Sequence, residues 1–492
     1  MIPSLASFIC ACGIVGLFYL DRDKTLRPSK ALWLPILWLA LVGSRPLSAW
    51  FGFAPTGTNQ QLEGSPFDAA VFGILSALAV GVLIYRSKRT RAVLVANWPI
   101  LIYFIFCLIS VTWSYHPDIA FKRWIKATGD LWMVLVIVTD PQPVAAFKRL
   151  ISRLGFVLLP ASMLLIKYYG NLGRAYAPNG ELMNTGVSTD KNMLGVFLLV
   201  ISMGTLWQVI GLLRAKRKPG RKRHLIAQGT LLLFGVSLLR MAHSSTAIAC
   251  FILGGGLIIA TSLRSFRNRP ARVHALCLAI IAAGAATLLF GGVGSVAHAL
   301  GRQSTLSGRT EIWAAVIPAA VNSIIGAGFE SFWISPNVVK FQQALVGWWH
   351  PEYLNEAHNG YIEVYLNLGL VGVGLIAIIL IRGYSRATKA LRQNWSVAGL
   401  MLAYIIAAAV YSITEAGFRM LDPIWIFLLL AVVSSSWTGG GLIKGEAVKA
   451  SVPLGDKLIR LPLGQQGNAE QEPVNTMLHE SPPPKFTRVG NY

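Results

Sequence analysis

Charge is scarce in this chain. Of its 492 residues only 13% are Asp, Glu, Lys or Arg, against 54% hydrophobic, too little charge for an ordinary soluble surface. Acidic residues are scarcer still, 21 against 44 basic, for a net charge of +23. Cysteines are few: Cys10, Cys12, Cys107, Cys250 and Cys277 all lie inside apolar runs. That placement excludes a disulfide frame or a thiolate metal centre and leaves them as small packing residues. No Walker-type loop, dinucleotide fingerprint or internal repeat occurs. Residues 2–20 lack a basic n-region and a small-x-small cleavage site, so a retained first helix is expected.

Long apolar runs are plentiful. Runs of 15 to 22 residues recur along most of the chain, each long enough to cross a hydrocarbon core of about 30 Å. In lipid they must be helices, since each segment has to satisfy its own backbone. The expected fold is an all-α polytopic integral membrane protein with about 12–13 transmembrane helices, at 2–20, 31–51, 67–85, 93–112, 124–139, 154–169, 192–212, 225–241, 245–263, 273–291, 361–381, 397–414 and 423–437. Residues 1–437 form the transmembrane domain, and the Gly- and Pro-rich 438–492 reads as a disordered cytoplasmic tail.

The positive charge falls in six clusters between alternate pairs of runs: Arg22 to Lys30, Arg86 to Arg91, Lys148 to Arg153, Arg214 to Arg223, Arg264 to Arg272 and Arg382 to Arg392. These mark the cytoplasmic loops, so the charge encodes topology and is no nucleic-acid footprint. Most outer connections are then short, but 170–191 and 292–359 are long. Long loops in compact helical proteins tend to be functional or disordered, and these carry aromatic rings and isolated charges. Residues 309–324 show a helical pattern, with Ile312, Val316, Ala320 and Ile324 on one side, Arg309 and Trp313 on another, and Pro318 placed to kink or end it.

Within the outer loops several residues suit chemistry on an anionic, hydroxyl-bearing substrate. Arg309 would pair two phosphate oxygens through its planar fork, or snorkel to headgroups. His358, just ahead of a rigid helix, would accept a hydroxyl proton near neutral pH, or simply bond its own loop. Asn359 and Glu363 stand beside it. Glu330 follows glycines that permit a tight turn and would orient an arginine or a sugar hydroxyl. Arg174, Lys191 and Arg240 form a second basic set, with Arg240 equally suited to a lock on Glu415 or Asp422. Lys122, Arg123 and Lys126 face the same cavity or the headgroups. Phe332, Trp333, Trp348, Trp349 and Tyr361 would stack on sugars or form an interfacial belt. Asp21-Arg22-Asp23 matches a metal-dependent transferase spacing but lies in a basic loop. The outer face shows no metal-ligand spacing, so no metal or other cofactor is expected. Gly254-Gly255-Gly256 reads as close helix packing.

Gly308-Arg309-x-x-x-Trp313, Gly326-x-Gly-Phe-Glu-Ser-Phe-Trp333 and Ala357-His-Asn-Gly-Tyr-Ile-Glu-Val364, ending in Leu368-Gly-Leu-Val-Gly372, together resemble the O-antigen ligase and polymerase superfamily. Val111-Thr-Trp-Ser114, Arg123 and Asp190-Lys-Asn-x-Leu-Gly195 fit the same pattern, and the Phe-Glu-Ser-Phe-Trp form is similar to ExoQ-like exopolysaccharide polymerases. Asp190 replaces the usual histidine, and Thr246 an arginine common after the serine. The resemblance implies a GT-C-like, metal-independent glycosyltransferase of the bacterial inner membrane with a periplasmic active face. Its donor would be a glycan on undecaprenyl pyrophosphate and its acceptor a glycan or lipid, among membrane lipids and other polysaccharide export proteins. It further implies that Arg309 binds pyrophosphate, with Arg174, Lys191 and Arg240 adding charge. His358 would then be the base, oriented by Glu330 or Glu363. Polymerisation leads, ligation to a lipid A core is the near alternative, and a transporter or flippase of an anionic solute is the alternative from another class.

Overall fold

Proline and capping side chains set the helix starts. The computed structural model describes residues 2–23, 27–53, 64–176, 180–215, 220–267, 269–289, 307–336, 338 and 355–438, all within one compact unit, Met1–Ile443. The expected tail beyond 438, Trp348, Trp349 and much of the 292–359 loop lie outside these residues. Pro3, Pro66, Pro117, Pro143, Pro270 and Pro423 each open a helix, where the missing N–H costs nothing. Asp190, Asn359 and Asn394 cap three others through their side chains.

Every predicted run falls on a helix, and the protein is an all-α polytopic membrane protein. Among the described residues eight helices are long and apolar enough to cross a bilayer: Pro3–Leu20, Pro66–Tyr85, Pro143–Tyr168, Lys191–Arg214, Arg221–Ala242, Ser245–Ser262, Gly360–Ala390 and Trp395–Thr414. The other runs fall short for local reasons. The second is cut to Trp33–Val42, with Gly43 and Pro46 after it. The fourth divides into a basic helix, Ser87–Ala96, lying at 88° to the apolar Trp98–Trp113 segment. Pro117–Val138 carries Lys122, Arg123 and Lys126 before its buried half.

Trp395–Thr414 is the central helix, with 78% of its apolar window buried, against Lys191–Arg214, Ser245–Ser262, Gly360–Ala390 and Pro423–Thr438. Close approach is needed there: a Cβ at Gly254 would stand 2.6 Å from Met203 Cε, as the glycine run suggests. The basic loops are cross-linked at one end of the bundle. Arg86 donates to Ser29 Oγ, Arg386 to Asn97 Oδ1, and Asp21 pairs with His224. Asp21 therefore serves packing.

At the opposite end, loop 170–191 contains a short antiparallel hairpin, Arg174–Tyr176 with Leu182–Asn184, a small departure from all-helical expectation. The Ser307–Val316 helix stops two residues before Pro318. Its Val316 joins Ala327, Phe332, Ala357 and Leu366 in a separate small core, with Ile312 and Ala320 packed against it.

Backbone insertion fixes this loop to the bundle. The Gly360–Ala390 helix breaks at Gly369, where φ is 64° and ψ −164°. Residues 323–328 pair with the opened turn: Ala327 N donates to Leu366 O (3.0 Å), Gly328 N to Asn367 O (2.9 Å), Leu370 N to Ser323 O (2.9 Å) and Val371 N to Ile324 O (3.1 Å). A Cβ at Gly326 would lie 2.3 Å from the Asn367 carbonyl carbon, and one at Gly369 2.2 Å from that of Ile324. Only glycine allows two backbones this close.

Candidate active site

The Gly-Phe-Glu-Ser turn after this insertion is held from three sides. Asn367 Oδ1 accepts from the N–H groups of Ser331 and Phe332. Ser110 Oγ accepts from Phe329 N, and Ser114 Oγ meets Ser331 Oγ at 2.7 Å. Arg123 donates to the Glu330 carbonyl. The upstream Val-Thr-Trp-Ser stretch is thus the dock for the turn. Glu330 itself is left-handed, with φ 50°.

Around it runs an alternating chain of six charges from four segments. Glu330 Oε2 is 3.9 Å from Arg419 Nε, and Arg419 Nη1 is 3.2 Å from Glu356 Oε2. Glu356 Oε1 lies 2.8 Å from His358 Nδ1, whose second carboxylate neighbour is Glu415 Oε2 at 3.5 Å. Glu415 Oε1 accepts from Arg309 Nη2 at 2.7 Å. The His358 contacts are close ion pairs set off the line of a straight hydrogen bond. Charge is balanced along the chain, three anions to three cations, which offsets the cost of holding them at a membrane surface.

Burial alone would favour a neutral His358, but the charges of Glu356 and Glu415 outweigh it and push the imidazole up to about 9. Conversely, burial would raise Glu356, yet His358, Arg419 and Arg309 hold it down at about 2. Desolvation pushes the half-buried Asp422, beside the chain, up to about 8 despite the Ile424 N–H it accepts.

The sequence-predicted residues divide. Arg309 and His358 are brought together through Glu415, and Glu330 stands at the far end of the same chain. The carboxylates against His358 are Glu356 and Glu415. Glu363 instead accepts from Trp333 Nε1 (2.9 Å) and Ala357 N (2.5 Å), so it holds the backbone ahead of His358. Arg174 donates to Ile166 O at a helix end, and Lys191 lies 3.9 Å from Glu181. Arg240 is exposed, and the lock proposed for it on Glu415 is made by Arg309 instead. Of the aromatics, Phe332 is fully buried and Tyr361 donates to Ala409 O; both serve packing. Thr246 Oγ1 meets Thr414 Oγ1 at 3.0 Å, next to Glu415.

Arg419, Glu356 and Glu415 are the residues sequence reasoning left out of the site. The signal was present in the 415–422 connection, where Glu415, Arg419 and Asp422 crowd a short link between apolar helices, a costly placement without partners. Glu356, His358 and Glu415 also offer donor atoms within 4.8 Å of one another, a spacing that suits a cation and that sequence spacing did not reveal. Each is already matched by Arg309, Arg419 or its neighbour, so this donor set does not call for an ion.

An ion-paired cluster at one end of a multi-pass helical bundle, built on a loop threaded into a broken helix, defines a membrane protein with a charged polar site at one end. Residues 230–377 match the family model described as O-Antigen ligase. That stretch includes Arg309, Glu330, Glu356, His358 and Glu363, while Glu415 and Arg419 follow it. Over 297 residues the chain is 25% identical to the exopolysaccharide production protein ExoQ of Rhizobium meliloti (strain 1021), covering 58% of this chain and 64% of that protein. Both matches bear out the resemblance to the O-antigen ligase and polymerase superfamily.

Proposed function

We propose that the protein is a glycosyltransferase of the bacterial inner membrane that polymerises undecaprenyl-pyrophosphate-linked oligosaccharide units at the periplasmic face. The observation that carries this reading is the junction of Arg309 and His358 through Glu415. One end offers a guanidinium to a departing pyrophosphate and the other an imidazole to an incoming hydroxyl. In the reaction the acceptor oxygen bonds to the anomeric carbon on the face opposite the leaving group. The carbon–oxygen bond to pyrophosphate breaks with its electron pair on phosphate, and the hydroxyl proton passes to His358. The glycosyl-pyrophosphate bond supplies the energy.

The two guanidiniums of Arg309 and Arg419 support a metal-independent mechanism, since they supply positive charge for the leaving group while His358 acts from its neutral form. Glu330 orients Arg419, and Glu363 orients the segment that carries His358. Arg174, Lys191 and Arg240 add positive charge on the same face. The exopolysaccharide role in the relative's name favours polymerisation, while the family description favours ligation of a finished glycan to a lipid A core. Complementing a deletion strain with wild type, Arg309→Ala or His358→Ala, and analysing surface glycan and lipid-linked intermediates, tests the reading. Single repeat units accumulating on lipid, rescued by wild type alone, is the expected result. Full-length lipid-linked chains left untransferred would make it a ligase, and unchanged glycan would overturn the enzyme reading.

A further inference from the structure

Resting on that reading, we propose that Glu415 is a positioning residue that links donor capture to the base: the donor's pyrophosphate displaces it from Arg309, and the freed carboxylate turns wholly to His358. Glu415 touches both, with Oε1 on Arg309 and Oε2 toward His358. Its backbone is fixed on two sides. Glu415 N donates to Tyr411 O (3.0 Å) and Glu415 O accepts from Gly360 N (2.9 Å), which confines any movement to the side chain.

Arg309 presents one nitrogen to Glu415. A pyrophosphate engages the fork with two oxygens and more charge, and so competes favourably. The displaced carboxylate then has His358 Nδ1 within reach. Holding Nδ1–H there leaves Nε2 to accept the acceptor's proton, and the carboxylate stabilises the imidazolium that results. Donor and acceptor chemistry are thereby ordered, because the base acquires its orienting carboxylate only once the leaving group is seated.

The charged groups facing His358 are Glu356 from its own segment and Glu415 from the 415–422 connection, with Arg309 of the Ser307–Val316 helix on the far side of Glu415. Arg419 and Asp422 act on it through Glu356, and Tyr411 packs under Glu415. Removing Glu415 alone therefore leaves Glu356 to sustain part of the upward shift.

The test compares full-length wild type and Glu415→Gln in lipid nanodiscs, with farnesyl pyrophosphate as the binding probe and lipid-linked repeat units as the transfer substrate. The variant is expected to bind the probe about tenfold more tightly, because Arg309 is relieved of one charge-assisted bond. It should also turn over at least roughly tenfold more slowly at saturating donor, with the ascending limb of its pH–rate profile, which levels off near 9 in the wild type, moved to lower pH. Unchanged probe affinity and an unmoved limb, with wild-type transfer intact, would overturn the inference and leave the transferase reading standing. Failure of wild type both to bind the probe and to transfer would remove both. Should Glu415→Gln fail to fold, Glu415→Asp keeps the charge but shortens the reach, and the same shifts are expected at smaller size.

Discussion

Replacing Gly369 by alanine tests whether the threaded loop organises the site. The residue sits at φ 64° and ψ −164°, a region closed to side chains at a cost of about 1–3 kcal/mol. The added Cβ would lie 2.2 Å from the carbonyl carbon of Ile324, and that atom is backbone, already bonded through its oxygen to Val371 N. Relief requires the 323–328 segment to withdraw, breaking some of four backbone hydrogen bonds at roughly 1 kcal/mol each. The expected cost is therefore on the order of 3–5 kcal/mol. It should appear as a clear fall in the temperature at which the detergent-extracted protein loses monodispersity, and as a loss of transfer activity. Gly374→Ala is the matched control: it lies in the same helix with nothing within 4 Å of its added Cβ, and should gain up to about 1 kcal/mol. Equal stability and activity in the two variants would refute the account of the break.

Stability should also follow the ion-pair chain. His358, raised from 6.5 to about 9, contributes fully below pH 6.5 and is lost as pH rises through 9. Glu356, lowered from 4.5 to about 2, contributes fully above pH 4.5 and is lost as pH falls toward 2. A thermal-stability plateau between about 4.5 and 6.5 is expected in the wild type, with its alkaline edge flattened in His358→Gln. Transfer per donor should rise about tenfold per pH unit up to near 9 as neutral imidazole accumulates, and a flat profile from 6 to 9 would exclude His358 as base. Arg309→Ala should cost roughly a hundredfold or more in kcat/KM, with Arg309→Lys recovering little because one point charge cannot grip two oxygens. Glu363→Gln, keeping shape but weakening acceptance from Trp333 and Ala357, should destabilise the His358 segment by about 1–3 kcal/mol, read as faster amide exchange at 355–359.

How much of this was legible follows from which forces act locally. Apolar run length locates the helices, and Pro and capping residues locate their starts. The 88° bend before Trp98 was hidden because Val93 to Ala96 continue the apolar run, although Lys88, Arg89 and Arg91 belong along a surface. Arg309 and His358 stood out because an isolated charge in an apolar chain needs a purpose. Their partners did not, since an ion pair is a property of space. Nothing near Arg309 in sequence announces Glu415, and Arg419 lies outside all six basic clusters. The glycines of 326, 328 and 369 were visible as a motif, but their reason, two backbones in contact, required the fold.

Peptide groups pair the loop with the break in its helix, and the Asn367 side chain adds two further bonds to the turn. Two side chains beside those groups face outward, Ile324 at 62% exposure and Leu370 at 60%. Apolar side chains can therefore be exchanged at Ile324 and Leu370 without touching the backbone pairing, provided Gly326 and Gly369 stay. Divergence here should look like drift among Ile, Leu, Val and Phe beside fixed glycines, with the charges behind them untouched.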